Sequence, residues 1–306
     1  MDITALELKM VVLFFSILVG FIAAKAGVLT LEGNKVLSKL LVNVASPLLI
    51  LSSVFKGDHV LTNAQLLVLT VLILCCYACM IPLSFLIPKL LHVPAEQSNL
   101  YRFMFIFSNI GFIGYPIVSS LFGASSVFYV SIFVLFFQSF CFSYGVSLIA
   151  GEPKFRFKWS VLKQPCLIAA MFSFVFYLSG LKVPTIVYDA TSYVGDLTSP
   201  LAMLVIGCSL AQMDLRKVLG NWRIYILCVL KMIALPLLMY CVLHRIITNE
   251  LMLGVTIVVL SMPIATNTTL ICYEYGGDAS LASTGIFIST VMSLFTIPFI
   301  MKLLFG

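Results

Sequence analysis

Ten stretches of this sequence, near 5–24, 35–55, 63–87, 99–120, 124–149, 160–180, 190–211, 221–244, 250–273 and 280–304, are apolar. Each has roughly the 20-residue length with which a helix crosses a bilayer. Apolar residues make up 61 % of the chain and charged residues 10 %, far from the roughly even apolar share and quarter charged share of a soluble domain. The expected fold class is therefore an all-α membrane protein of ten transmembrane helices. A membrane β-barrel does not fit. Barrel strands alternate polar with apolar residues, whereas Leu66 to Leu74 is apolar throughout except for Thr70. The first run is long enough to span, and no cleavage pattern follows it at Gly27, so no cleavable signal peptide is expected.

The chain is also written twice. Asn43-Val44-Ala45-Ser46-Pro47-Leu48 is answered by Asp196-Leu197-Thr198-Ser199-Pro200-Leu201, at an offset of 153, half of the 306 residues. Within one residue of that offset, Ala26-Gly27 matches Ser179-Gly180 and Pro82 matches Pro236. Gly123-Ala124-Ser125-Ser126 matches Gly277-Asp278-Ala279-Ser280, and Ile132-Phe133 matches Ile286-Phe287. The expected domain organisation is a single membrane unit over 1–306, with repeat 1 at 1–150 and repeat 2 at 154–306. Five spans is an odd number, so the second repeat enters the membrane from the opposite face and the repeats are inverted. Inverted repeats permit an outward-open and an inward-open state by exchanging the roles of the halves, the pattern of a secondary transporter.

Net charge is +6, and its placement sets an orientation. Odd-numbered loops and their flanking turns carry twelve of the 18 Lys and Arg residues; the tails and even loops carry five. The positive-inside rule then puts the odd loops in the cytoplasm and both termini outside. The Lys154–Lys163 run is read as a topology anchor rather than a nucleic-acid or lipid site. The short basic joint around Gly151-Glu152-Pro153 leaves no room for an extra soluble domain.

Two spans carry their own interruptions. Span four reads Ser108-Asn109-Ile110-Gly111-Phe112-Ile113-Gly114-Tyr115-Pro116; span nine reads Ser261-Met262-Pro263-Ile264-Ala265-Thr266-Asn267. Pro116 frees the carbonyl of Phe112 and Pro263 that of Val259, because proline has no N–H to donate. Exposed backbone and Asn side chains at membrane depth are tolerated where they are buried in protein or line a cavity. Broken helices would offer half-helix N-termini that favour an anion. The competing reading is that Gly111 and Gly114 allow close helix packing and that the prolines only kink. The two breaks correspond by span but not residue for residue, since the offset pairs Pro263 with Asn109.

Lys231 lies about ten residues into span eight, where a lysine costs roughly 2.5–3.5 kcal/mol on insertion scales, and its repeat counterpart is Tyr77. It neutralises a substrate carboxylate or serves coupling, or else it snorkels or binds a carbonyl freed by Pro236. Asn43 with Ser46, and Asp196 with Ser199, place polar groups at i, i+3 on one helix face. They line a pathway or satisfy backbone freed by Pro47 and Pro200. Glu274 and Asp278 read as solvated loop charges. The nine cysteines, Cys76-Tyr77-Ala78-Cys79 included, read as packing residues, with no metal site or cofactor expected. His59, His92 and His244 sit at span ends, and no protease constellation is present. A channel or receptor is the remaining competitor outside the carriers.

The chain resembles the auxin efflux carrier family. The resemblance rests on ten spans in inverted halves, on Asn109-x-Gly111-x-x-Gly114-x-Pro116, on Ser199-Pro200-Leu201-Ala202 leading to Gly207, and on Pro263-x-Ala265. It implies an elevator-type carrier, with spans 1, 2, 6 and 7 as scaffold and spans 3–5 and 8–10 as a moving core whose spans four and nine cross. It implies a small organic anion as substrate, an auxin-like acid, malate or malonate. It also leaves room for a homodimer through the scaffold helices, in the lipid bilayer of the cell membrane. The long cytoplasmic loop of many plant members is absent, which favours a bacterial carboxylate carrier. A sodium-coupled organic-anion symporter of the bile-acid type shares the architecture and is the alternative. Under the carrier reading, Asn109, Gly111, Gly114, Pro116, Pro263, Ala265, Thr266, Asn267 and Lys231 bind substrate. Asn43, Ser46, Asp196, Ser199 and Tyr77 serve the pathway or coupling.

Overall fold

The computed structural model describes residues 3–55, 61–151, 163–179, 181–212 and 220–305, and no strand occurs among them. Most of the basic run 154–163, Arg216, Lys217, Lys56 and the Gly180 of the second repeat lie outside the described residues. Helix occupies all ten apolar runs: α1 (Ile3–Lys25), α2 (Leu31–Phe55), α3 (Asn63–Leu90), α4 (Ala95–Ile106), α5 (Ile110–Phe122), α6 (Ala124–Ala150), α7 (Pro165–Ser179), α8 (Thr185–Ala211), α9 (Trp222–Leu243), α10 (Glu250–Leu260), α11 (Asn267–Tyr275) and α12 (Ala279–Phe305). Six of them, α2, α3, α6, α8, α9 and α12, are long and apolar enough to cross a membrane. Runs four and nine are each two shorter helices, α4 with α5 and α10 with α11.

The helix starts follow from local chemistry. Thr62 and Gln65 exchange side chain-to-backbone bonds ahead of α3, at 2.8 and 3.2 Å, a capping box. Asn249 accepts from Met252 N–H at 2.9 Å at the start of α10, and Asp278 accepts from Leu281 N–H at 2.9 Å at the start of α12. Gly123 (φ 90°) ends α5 and Gly276 (φ 87°) ends α11. Both need the left-handed region that only glycine enters freely, and they stand 153 residues apart.

Three prolines sit two residues past a widened, π-helical turn: Leu41–Ala45 before Pro47, Ile110–Gly114 before Pro116, and Leu230–Ala234 before Pro236. The residue before proline then donates five residues back, Ser46 to Leu41 and Leu235 to Leu230. The wider turn makes room for a ring that would strike the i−4 carbonyl of a regular helix.

The chain divides into two compact units: Met1–Leu66, Gly111–Leu135 and Ser160–Asp214 form one, and Leu67–Ile110, Phe136–Trp159 and Leu215–Gly306 the other. In the first unit α1 packs against the second half of α8, and α7 against the second half of α2. The backbones touch where side chains are missing: a Cβ on Gly207 would strike the Ile17 carbonyl, and one on Gly20 the Leu204 carbonyl. Such small-residue crossings are how helices associate without a hydrophobic drive. Outer apolar side chains such as Phe15, Val175 and Ile186 remain exposed, a surface suited to lipid.

In the second unit α12 packs against α9 and α11, and α4 meets the end of α6. A Cβ on Gly145 would lie 2.7 Å from Phe103 and 2.9 Å from Phe107. Glycine at that place therefore lets the last turn of α4 seat against α6.

Candidate functional site

The second unit contains the point where both interrupted runs lose their helix. α4 stops at Ile106, and Phe107 takes extended dihedrals, φ −97° and ψ 121°. On the other run α10 stops at Leu260. The two extended stretches meet antiparallel at Ser108 and Ile264. Asn109 N–H donates to the Pro263 carbonyl at 2.8 Å, and Ala265 N–H donates to the Phe107 carbonyl at 3.2 Å. Asn109 and Pro263, the pair aligned by the repeat offset, are thus directly bonded.

This exchange leaves backbone groups to be satisfied by side chains. In a continuous helix Asn109 N–H would reach the Phe105 carbonyl. Here that carbonyl accepts instead from Lys231 Nζ at 2.8 Å. Lys231 is fully buried, and Phe105 O is its hydrogen-bond partner among the described residues. The Ile264 N–H donates to Ser289 Oγ at 3.1 Å, and Ser289 donates in turn to the Ile286 carbonyl at 3.0 Å. The carbonyl of Val259, expected to be freed by Pro263, accepts from Met262 N–H at 3.3 Å. Every group so paired avoids the cost, about 1–3 kcal/mol, of a buried polar atom without a partner.

One group is left over. Asn109 is 4 % exposed, and its Nδ2 has no partner among the described residues. Past the bridge, Thr266 is exposed and Asn267 half-buried at the start of α11; Pro263 and Ala265 are buried. Tyr77 is buried with its ring stacked on Phe140 at 4.5 Å and 6.4 Å from Phe107, an aromatic wedge beside the crossing.

The remaining candidates fall in the first unit. Gly111 is half-buried, and a Cβ on it would meet nothing within 4 Å, so close packing does not account for this glycine. Gly114 and Pro116 are buried in the widened turn and just beyond it. Ser46 is buried while Asn43, three residues earlier, is exposed; Asp196 is exposed and Ser199 half-buried. Ser199 shares a hydrogen bond with Ser119 of α5 at 3.3 Å.

Phe105 and Ser289 escape sequence reading. A backbone carbonyl carries no signature, and Ser289 looks like any serine bonding back along its own helix. The one available hint was a polar residue mid-way along an apolar run. Among the described residues no group of three or more His, Cys, Asp or Glu could hold a metal, and all nine cysteines are free thiols.

The membrane transport protein family matches the chain over residues 6–158 and 154–301, and the chain belongs to that family, as the auxin-carrier resemblance led one to expect. An uncharacterized transporter of Methanocaldococcus jannaschii is 26 % identical over 289 residues, 92 % of this chain and 93 % of that protein. An uncharacterized transporter of Methanothermobacter thermautotrophicus is 28 % identical over 293 residues, again 92 % and 93 % of the two chains. The chain is a membrane transporter, not an enzyme.

Proposed function

We propose that this member of the membrane transport protein family is a secondary carrier of a small organic anion, a carboxylate of the malate, malonate or auxin-like class, working by alternating access. The observation that carries the reading is the buried, unpartnered amide of Asn109 at the crossing of two interrupted helices. A carboxylate oxygen would accept from Nδ2. The half-helix starting at Asn267, with Thr266 and Asn267 accessible, adds N–H donors and a partial positive charge.

Six long and four shorter apolar helical segments support a ten-span chain, with α4/α5 and α10/α11 as broken spans four and nine. The inverted relation draws support from the pairing of α1 with α8 and of α7 with α2, which exchanges the two halves. Glycine stops 153 residues apart add to it. In the elevator reading, α1, α2, α7 and α8 form the scaffold, and the unit holding α3, α4 and α9 to α12 moves with the anion. Assigning spans four and five wholly to the moving core rests on the family resemblance, since residues 111–135 cluster with the first unit.

The test is binding followed by counterflow. Purified protein screened by thermal shift against mono- and dicarboxylates should be stabilised by at least one. Proteoliposomes preloaded with that acid should then exchange it for labelled acid outside. Stabilisation by no carboxylate, or flux without exchange, overturns the anion-carrier reading.

A further inference from the structure

The crossing gathers helix C-termini as well as N-termini. α4 ends one residue before the bridged stretch and α10 three residues before it, so the carbonyl ends of both helices converge there. Each end carries roughly half a negative charge from its aligned peptides, about one unit for the pair. In carriers built on broken helices, such carbonyl ends are where a coupling cation is held. A cation at this depth needs either buried carboxylates or this carbonyl field. The described carboxylates of the second unit, Glu96, Glu250, Glu274 and Asp278, are all exposed. Among the described residues Lys231 is the buried charge of that unit, and it reaches the carbonyl end of α4 itself, 2.8 Å from Phe105 O.

We propose that the Lys231 ammonium is a built-in counter-cation that takes the place a coupling Na⁺ would occupy at the paired half-helix C-termini. The covalent charge neutralises the carbonyl ends in every state of the cycle. The anion end of the crossing is thereby served without loading an ion from solution. This deepens the carrier reading above and rests on it, and it weighs against the sodium-coupled alternative.

The experiment uses the purified full chain and reads melting temperature in NaCl against choline chloride at matched ionic strength, for wild type, Lys231→Ser and Lys231→Gln. Wild type should melt within about 1 °C in the two salts. Lys231→Ser opens a carbonyl-lined vacancy. It should melt higher in NaCl by about 3 °C or more, the shift expected when an ion binds only the folded state. Lys231→Gln keeps an N–H donor for Phe105 O but no charge. It serves the same comparison if the serine variant does not fold. A Na⁺-specific rise in wild type overturns the proposal, as does a folded variant indifferent to Na⁺. Malonate protection of wild type is measured in the same assay. Its failure would fall on the anion reading alone, because the Na⁺ comparison contains no anion substrate.

Discussion

A buried amide without a partner costs about 1–3 kcal/mol, which a bound acceptor would recover. Asn109→Ala is therefore expected to weaken carboxylate binding by about that amount while the unliganded variant expresses normally and melts no lower than wild type; thermal-shift titration reads both. If affinity is unchanged, the substrate sits elsewhere. Ser289 acts differently, through the backbone. Ser289→Ala leaves the Ile264 N–H buried and unpaired, so it should lower stability by about 1–3 kcal/mol and reduce exchange. Ser293→Ala, one turn further along α12, removes a hydroxyl that only donates to the Thr290 carbonyl, and about 0.5 kcal/mol or less is expected for a change that orphans no group. Equal effects from the two serines would remove Ser289 from the positioning of the crossing. Lys231→Met keeps most of the stem and deletes the donor to Phe105 O, so a lower melting temperature together with reduced exchange is expected. A stable, fully active variant would show that this carbonyl tolerates isolation.

Glycines at two places separate packing from function at the level of elements. Gly207 lies where α1 and α8 press backbone to backbone, so Gly207→Ala forces the helices apart. Overpacking of this kind costs typically 1–3 kcal/mol or more, and size-exclusion profiles should show aggregated or poorly expressed protein. Gly111 has open space where a Cβ would stand. Gly111→Ala should fold normally, and any loss should appear in transport alone. Helix locations were legible in the sequence because lipid-length apolar runs leave the backbone no other way to satisfy itself. The two interruptions were legible through Pro263 and the Gly111 to Pro116 run. Two things were not. Proline marks where a helix is strained but not how the strain is absorbed, so the widened turns before Pro47, Pro116 and Pro236 could not be foreseen. The partner of Lys231 was also hidden. The carbonyl it binds is freed by the bridge between Asn109 and Pro263, 126 residues away in the chain, and not by the nearby Pro236.

For the whole molecule, helix parity and charge placement constrain each other. In the proposed ten-span arrangement the chain would return to its starting face, so both termini would share a side, and a repeat of five spans would force the halves to be inverted. The excess of Lys and Arg, twelve against five, predicts through the positive-inside rule that this shared side is the outside. Nine or eleven crossings would put the termini on opposite faces and align the halves differently, and the exchange of α1–α8 for α7–α2 would lose its meaning. Reporter fusions after Gly306, or impermeant thiol labelling of a cysteine placed there in a background of blocked native thiols, should therefore find the C-terminus outside the cell. A second label in the 154–163 stretch should be reachable only after permeabilisation. If Gly306 proves cytoplasmic while 154–163 is also cytoplasmic, the second half holds an even number of crossings. One of its broken or short helices then fails to span, and alternating access by inverted repeats fails with it. If both sites are simply reversed, the helix count and the inversion survive. Only the orientation set by basic charge would then be wrong.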